Sequence, residues 1–266
     1  MKSQINRIIA ENLITTVFQP IYDVKRRIIL GYEALTRGPK NTNYYSPDVL
    51  FEQATECGLL SELELLCRAS AISRFAQLNL SGKLFINISP VVMLNKDHPN
   101  GETIKLVEQA GLSCQQVVIE ISEKYPFPNS DVLRKALNKY RQFGFNVAID
   151  DLGAGYSGLK QWNYLRPDIV KIDRYFIDGC DQDEMKREFL RVLFELGRIS
   201  KAHVIAEGIE TQAEFNLLKE LGMTYAQGFF LAKPCEFPSD KFPPYILNQN
   251  TTNKIENITD IKHEVA

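Results

Sequence analysis

Six carboxylates, one amide and one amine stand where short apolar runs end. Glu33 follows Ile28-Ile29-Leu30-Gly31-Tyr32, and Asn87 follows Leu84-Phe85-Ile86. Glu120 follows Val117-Val118-Ile119, and Asp150 with Asp151 follows Val147-Ala148-Ile149. Lys171 and Asp173 finish the run opened by Ile169-Val170, while Glu207 ends Val204-Ile205-Ala206. At an effective dielectric of about 20, two carboxylates ~6 Å apart repel by roughly 3 kcal/mol. Glu33, Glu120, Asp150, Asp151 and Glu207 brought into one mouth therefore need cations among them. Lys171 and Arg37 are the local positive charges, and they leave three negative charges in excess. Oxygen ligands with one amide and no His or Cys suit hard Mg²⁺ or Mn²⁺ ions, not zinc. Successive strand residues face opposite sides, so a strand that ends at Asp150 lets Asp151 turn across the rim. The adjacent pair can then serve two ions, the usual equipment for hydrolysing phosphodiesters.

The elements that carry these groups read as buried strands, being runs of four to eight apolar, β-branched residues. A polar group at the same end of strand after strand is the layout of a barrel with its site on the C-terminal rim. The first two strands, Val17–Tyr22 and Ile28–Leu35, are separated too briefly for a parallel crossover, so they pair antiparallel if adjacent. Helix and strand then alternate. Helical spacing over Ser46–Gln77, interrupted near Gly58, precedes a third strand at Lys83–Ser89. Later strands are expected at Val117–Ser122, Asn146–Asp151, Ile169–Asp173, His203–Glu207 and Tyr225–Phe230, separated by helices such as Glu184–Ser200. The expected architecture is a modified TIM-type (β/α)8 barrel, α/β in class, with an antiparallel first strand. The barrel is expected over 1–245. Residues 246–266, rich in Asn, Thr and charge, read as a tail or linker with little order.

Composition narrows the functions. A formal charge of −2 and a pI near 6.0 predict no sequence-independent hold on nucleic acid. The five cysteines are scattered without a C-x-x-C pair and read as reduced thiols. No run approaches the ~18 apolar residues of a membrane span, and Met1–Asn12 lacks the apolar core of a signal peptide. A cytoplasmic setting follows as an expectation. Gly153-Ala154-Gly155-Tyr156-Ser157-Gly158 spells the G-x-G-x-x-G of dinucleotide sites, with Asp173 near the ribose position. Against that reading, Asp150 and Asp151 would face the pyrophosphate, the following helix is short, and strands precede the unit. The glycines read instead as a flexible loop over the rim.

Taken in order, these residues resemble the EAL domain, the cyclic-di-GMP phosphodiesterase family of bacteria. The signature stands as Glu33-Ala34-Leu35, extended by Arg37. Asn87-Ile-Ser-Pro, Glu120-Ile-Ser-Glu123, Asp150-Asp151, Lys171-Ile-Asp173, Glu207-Gly-Ile-Glu210 and Gln227-Gly-Phe follow in the family's order over roughly residues 14 to 240. The resemblance implies hydrolysis of cyclic-di-GMP to linear pGpG by water activated between two Mg²⁺ or Mn²⁺ ions. Glu33, Asn87, Glu120 and Asp150 are implied to hold one ion, and Asp150, Asp151 and Glu207 the other. Lys171 is implied to orient the water or steady phosphoryl charge, with Glu207 and Gln227 in the same catalytic set and Gln227 supporting Lys171. Arg37, Asp173 and Glu210 are implied substrate contacts, and Glu123 the anchor of the loop 151–158. Two divalent ions would turn the rim's excess of three negative charges into about one positive, ready for a ligand with two phosphates.

This sequence departs from the family in that loop, which usually reads D-F-G-T-G-Y-S-S. Leu152 removes an aromatic group, Ala154 a hydroxyl, and Gly158 loosens the helix start, while no metal ligand is missing. The alternative role is a receptor that binds cyclic-di-GMP without cutting it. The family also implies a homodimer, and motility and biofilm decisions as the processes served. No diguanylate cyclase signature appears, so a regulatory domain or protein outside this chain is compatible with the sequence.

Overall fold

The computed structural model describes residues 2–94, 101–122, 130–155 and 158–247. β1 (Thr15–Asp23) and β2 (Ile28–Arg37) form the expected hairpin, with Gln19 opposite Glu33. Its turn is set by Asp23, which accepts the Arg26 N–H at 2.8 Å, and by Arg27 at a φ of 58°. From β2 onward the strands run parallel: β3 (Lys83–Asn87), β4 (Val117–Ser122), β5 (Asn146–Leu152), β6 (Ile169–Ile172), β7 (His203–Ala206) and β8 (Tyr225–Ala226). β8 closes the barrel on β1 antiparallel, through Tyr22 opposite Ala226.

Helices cover the outside: α1 (Lys2–Ala10), α2 (Pro47–Glu56), α3 (Leu60–Gln77), α4 (Pro90–Met93), α5 (Glu102–Gln109), α6 (Ser130–Gln142), α7 (Gly158–Leu165), α8 (Arg174–Ile177), α9 (Glu184–Ser200), α10 (Gln212–Glu220) and α11 (Pro244–Leu247). Gly58, at a φ of 70°, separates α2 from α3 as expected. α1 packs Ile5 and Ile8 against Leu50, Ala54 and Leu63 of α2 and α3. No helix among the described residues is long and apolar enough to cross a membrane.

Two layers inside the barrel explain the pattern of the sequence. Ile21, Phe85, Val118, Ala148, Ile169 and Ile205 form an apolar plug, with Tyr225 packed against it. Side chains alternate along a strand, so the residue two places on enters the next layer. That step converts Phe85 to Asn87, Val118 to Glu120, Ala148 to Asp150, Ile169 to Lys171, Ile205 to Glu207 and Tyr225 to Gln227. In β1, which runs the other way, Ile21 is matched by Gln19 two places earlier. A dry plug beneath a polar ring is what makes charges in that ring interact strongly.

The eighth strand is shorter than Tyr225–Phe230. After Ala226 the chain leaves the sheet to bond the loop after β7, with Ile209 N–H to Gln227 O at 3.2 Å and Phe230 N–H to Ile209 O at 3.0 Å. A Cβ on Gly228 would lie 2.1 Å from Ile209 O, so glycine is required by the close approach. The expected tail, apart from its first two residues, lies outside the described residues.

Candidate active site

Lys171 is the hub of the polar ring. Its side chain is 1% exposed, and Nζ lies 2.7 Å from Glu207, 2.9 Å from Glu120, 3.0 Å from Asp150 and 3.2 Å from Glu33. Burial alone disfavours the ammonium, but these four carboxylates outweigh it and hold Lys171 well above the ordinary lysine range. Burial pushes Glu120, Asp150 and Glu207 above the usual carboxylate range; mutual repulsion and Glu33 add to this, and Lys171 opposes it. Asp151 adds to the rise at Asp150. One ammonium cannot neutralise this set, so its acids favour protons or further cations.

Asp151 reaches the same mouth by the turn its sequence position demanded. The β5–β6 register shifts between Ile149 and Leu152, and Asp151 takes a left-handed φ of 57°. Its carboxylate accepts the Ser122 hydroxyl at 3.1 Å. Carboxylate oxygens of Glu33, Glu120 and Asp150 all lie within 4.8 Å of one another, as do those of Asp150, Asp151 and Glu207. These are the two acid sets expected, sharing Asp150. Asn87 joins the first set by donating to Glu120 at 3.3 Å.

The donor set fits hard divalent cations on an observation independent of spacing. Glu120 Oε1 and Asp150 Oδ1 are sealed from solvent and face the Lys171 ammonium at 2.9 and 3.0 Å, sharing it with Glu33 and Glu207. An ammonium has three N–H donors, too few to satisfy these four carboxylates. Their lone pairs suit Mg²⁺ or Mn²⁺, which take oxygen ligands.

The resemblance gives Gln227 the role of supporting Lys171. Its amide instead donates to Glu33 at 2.6 Å and to Gln19 at 3.3 Å, so any support for Lys171 passes through Glu33. Gln19, which donates to Ala232 O at 3.1 Å, went unrecognised in the sequence. The signal was present: a buried glutamine amid Val17-Phe18 and Ile21-Tyr22.

Two cavities flank Asp150 and Asp151, which line both together with Leu35. One, of about 250 Å³, lies under Arg37 and Asn87, with Phe51, Glu64 and Arg68 in its wall. Arg37 itself donates to Thr36 O at 2.8 Å. Glu64, a buried acid of α3 that ends no apolar strand, accepts the Ser89 N–H at 3.2 Å and lies 3.4 Å from Arg68, thereby fixing the turn after Asn87. The other cavity, about 260 Å³, is lined by Lys171, Arg174, Glu207, Glu210 and Gln227. Glu210 forms an ion pair with Arg174. Asp173 does not line that cavity; it caps α8 by accepting the Tyr175 N–H at 2.8 Å, and so presents Arg174 there.

The loop after Asp151 departs from a dinucleotide site. β5 lies between β4 and β6 of a closed barrel, and Gly153 packs on Phe176 of α8. Leu152, where the family has an aromatic, is buried in the outer core. Glu123, Tyr156 and Ser157 lie outside the described residues. Gly153 has a φ of 102°, and a Cβ there would lie 2.1 Å from the Phe176 ring. Gly153→Ala is expected to destabilise the fold by about 1–3 kcal/mol, or several degrees in Tm, through backbone strain and overpacking. Thermal melting checks this; an unchanged Tm contradicts the packing described.

Comparison with known proteins agrees with this geometry. The EAL domain family matches residues 2–234. The probable cyclic di-GMP phosphodiesterase PdeI of Escherichia coli K12 is 31% identical over 228 residues, which make up 83% of this chain and 29% of that protein. The probable cyclic di-GMP phosphodiesterase PdeB of the same organism is 27% identical over 81% of this chain and 42% of its own length. The chain thus spans under half the length of these two relatives. A standalone EAL protein from Vibrio cholerae O395, solved with c-di-GMP bound, superposes with a TM-score of 0.80 at 29% identity, covering 88% of this chain and 98% of that one. BlrP1 of Klebsiella pneumoniae, solved with manganese and cyclic-diGMP, gives 0.77 at 29% identity over 84% of this chain and 56% of its own. A family match across almost the whole barrel, with the strand-end acids gathered on one rim, makes this chain a member of the EAL domain family.

Proposed function

We propose that this chain hydrolyses cyclic-di-GMP to linear pGpG with two Mg²⁺ or Mn²⁺ ions bound. The observation that carries this reading is the pair of acid sets sharing Asp150. Glu33, Asn87, Glu120 and Asp150 would hold one ion, and Asp150, Asp151 and Glu207 the second. When bound, such ions lower the pKa of water and stabilise charge on a phosphoryl group in line for displacement.

The protein's own residues do the rest. The apolar plug excludes bulk water from beneath the ring, and Lys171 directs its ammonium at the charge that grows on phosphorus-bound oxygen. Gln19 and Gln227 fix the orientation of Glu33. The cavities on either side of Asp150 and Asp151 suit a ligand with two bases and two phosphates, one flank read by Arg37 and the other by Glu210 with Arg174.

A homodimer belongs to the same proposal. Met185, Phe189, Val192 and Ile199 make an exposed apolar stripe along α9, and Phe189 packs on Phe176 beneath the loop after Asp151. A sedimentation coefficient that stays monomeric at high concentration contradicts it.

The test of function is purified chain incubated with cyclic-di-GMP and Mg²⁺ or Mn²⁺, with products separated by chromatography. Metal-dependent appearance of pGpG is expected. Tight binding of cyclic-di-GMP without pGpG would favour the receptor role, and neither binding nor cleavage would defeat the reading.

A further inference from the structure

Glu214 is a buried acid outside both acid sets. It lies in the first turn of α10, 3% exposed, and its two oxygens serve different loops. Oε2 accepts the N–H of Glu210 at 2.9 Å and of Thr211 at 3.0 Å. Oε1 accepts the N–H of Gly179 at 3.1 Å. Gly179 follows α8, whose Arg174 faces Glu210 across the mouth of the second cavity. One carboxylate thus ties the loop after β6 to the loop after β7. Charge-assisted bonds from a buried carboxylate to backbone amides are short-ranged and directional, so the tie is stiff.

Glu207 is positioned separately, by its N–H to Ile172 O at 3.3 Å across the β6–β7 edge. Resting on the reading that this cavity takes cyclic-di-GMP, we propose that Glu214 is a positioning residue for substrate. It locks Arg174 and Glu210 into one recognition edge and leaves the ion-holding acids to the barrel strands. Glutamine at 214 has a single acceptor oxygen. It can keep the cap on Glu210 and Thr211 only by giving up Gly179.

The experiment compares Glu214→Ala, Glu214→Gln and Thr211→Ala in the full chain. KM and kcat are read for cyclic-di-GMP hydrolysis, Mn²⁺ affinity by calorimetry, and Tm by melting. Thr211 supplies the reciprocal cap, donated to by the Glu214 N–H at 3.2 Å, without touching Gly179. Loss of substrate positioning predicts a KM about tenfold higher in Glu214→Ala, with kcat within about threefold and Mn²⁺ affinity within about twofold of wild type. Should that variant not fold, Glu214→Gln carries the test, with KM about fivefold higher at nearly wild-type Tm. Thr211→Ala is expected to lower Tm with KM unchanged. KM within twofold of wild type in the folded Glu214 variants, or an equal rise in Thr211→Ala, overturns the proposal. A wild type that does not cleave cyclic-di-GMP defeats the functional reading instead.

Discussion

Lys171→Ala is expected to lower hydrolysis of cyclic-di-GMP by at least about a thousandfold, roughly 4 kcal/mol of transition-state stabilisation. The reason is geometric. Nζ is sealed from solvent and touches Glu33, Glu120, Asp150 and Glu207 at once, so no neighbouring lysine or water can replace its charge at that point. The fold survives, because the acids left behind take up protons. Burial already pushes Glu120, Asp150 and Glu207 in that direction. Glu33→Ala is expected to abolish turnover as well, by removing one acid of the first set and the acceptor of the Gln227 amide. Steady-state rates beside circular dichroism check both variants; a folded protein with wild-type turnover in either shows that the site has been misassigned.

Much of this site was legible because strand periodicity and chain direction act together. In a parallel strand the rim residue is the one that follows the apolar run, which is why Glu120, Asp150, Lys171 and Glu207 could be read directly. β1 runs against the others, so its rim residue precedes the plug residue, and Gln19 stands inside an apolar run instead of at its end. α4 and α8 are too short for helical periodicity; Ser89, the cap of α4, reads as the end of the third strand, and Asp173, the cap of α8, as a rim group. In α1 the spacing of Ile5 and Ile8 was there to see, but its packing partners come from α2 and α3. The amide of Gln227 could not be traced to Glu33 without the closure of β8 on β1.

The second large effect is a stability that depends on pH and metal in opposite senses. Glu120, Asp150 and Glu207 have their pKa raised in the folded protein, by burial first and then by neighbouring acids. A carboxyl raised on folding stabilises the fold fully below its unfolded pKa, about 4. That contribution is lost as pH climbs through the raised folded value. Lys171, raised instead by its acids, keeps its contribution until strongly alkaline pH. Metal-free protein is therefore expected to lose Tm as pH rises above the unfolded carboxyl value of about 4 and through the raised folded ones. Mn²⁺ binds the ionised acids and displaces their protons, so its affinity grows with pH. At a hundredfold excess over Kd the ion adds about 2.7 kcal/mol, and the gain in Tm is expected to be larger at pH 8 than at pH 5.5. Melting curves in EDTA and in Mn²⁺ across that range check this. A Tm in EDTA that rises with pH, or an Mn²⁺ shift independent of pH, contradicts the protonated cluster.

The central claim is that acids from distant strand ends form one centre for two hard cations. Anomalous diffraction at the manganese edge from crystals grown with Mn²⁺ tests it most directly. Two peaks are predicted, one among Glu33, Glu120 and Asp150 and one among Asp150, Asp151 and Glu207. Manganese bound elsewhere with this rim bare, or a rim whose acids turn away from one another, contradicts the account.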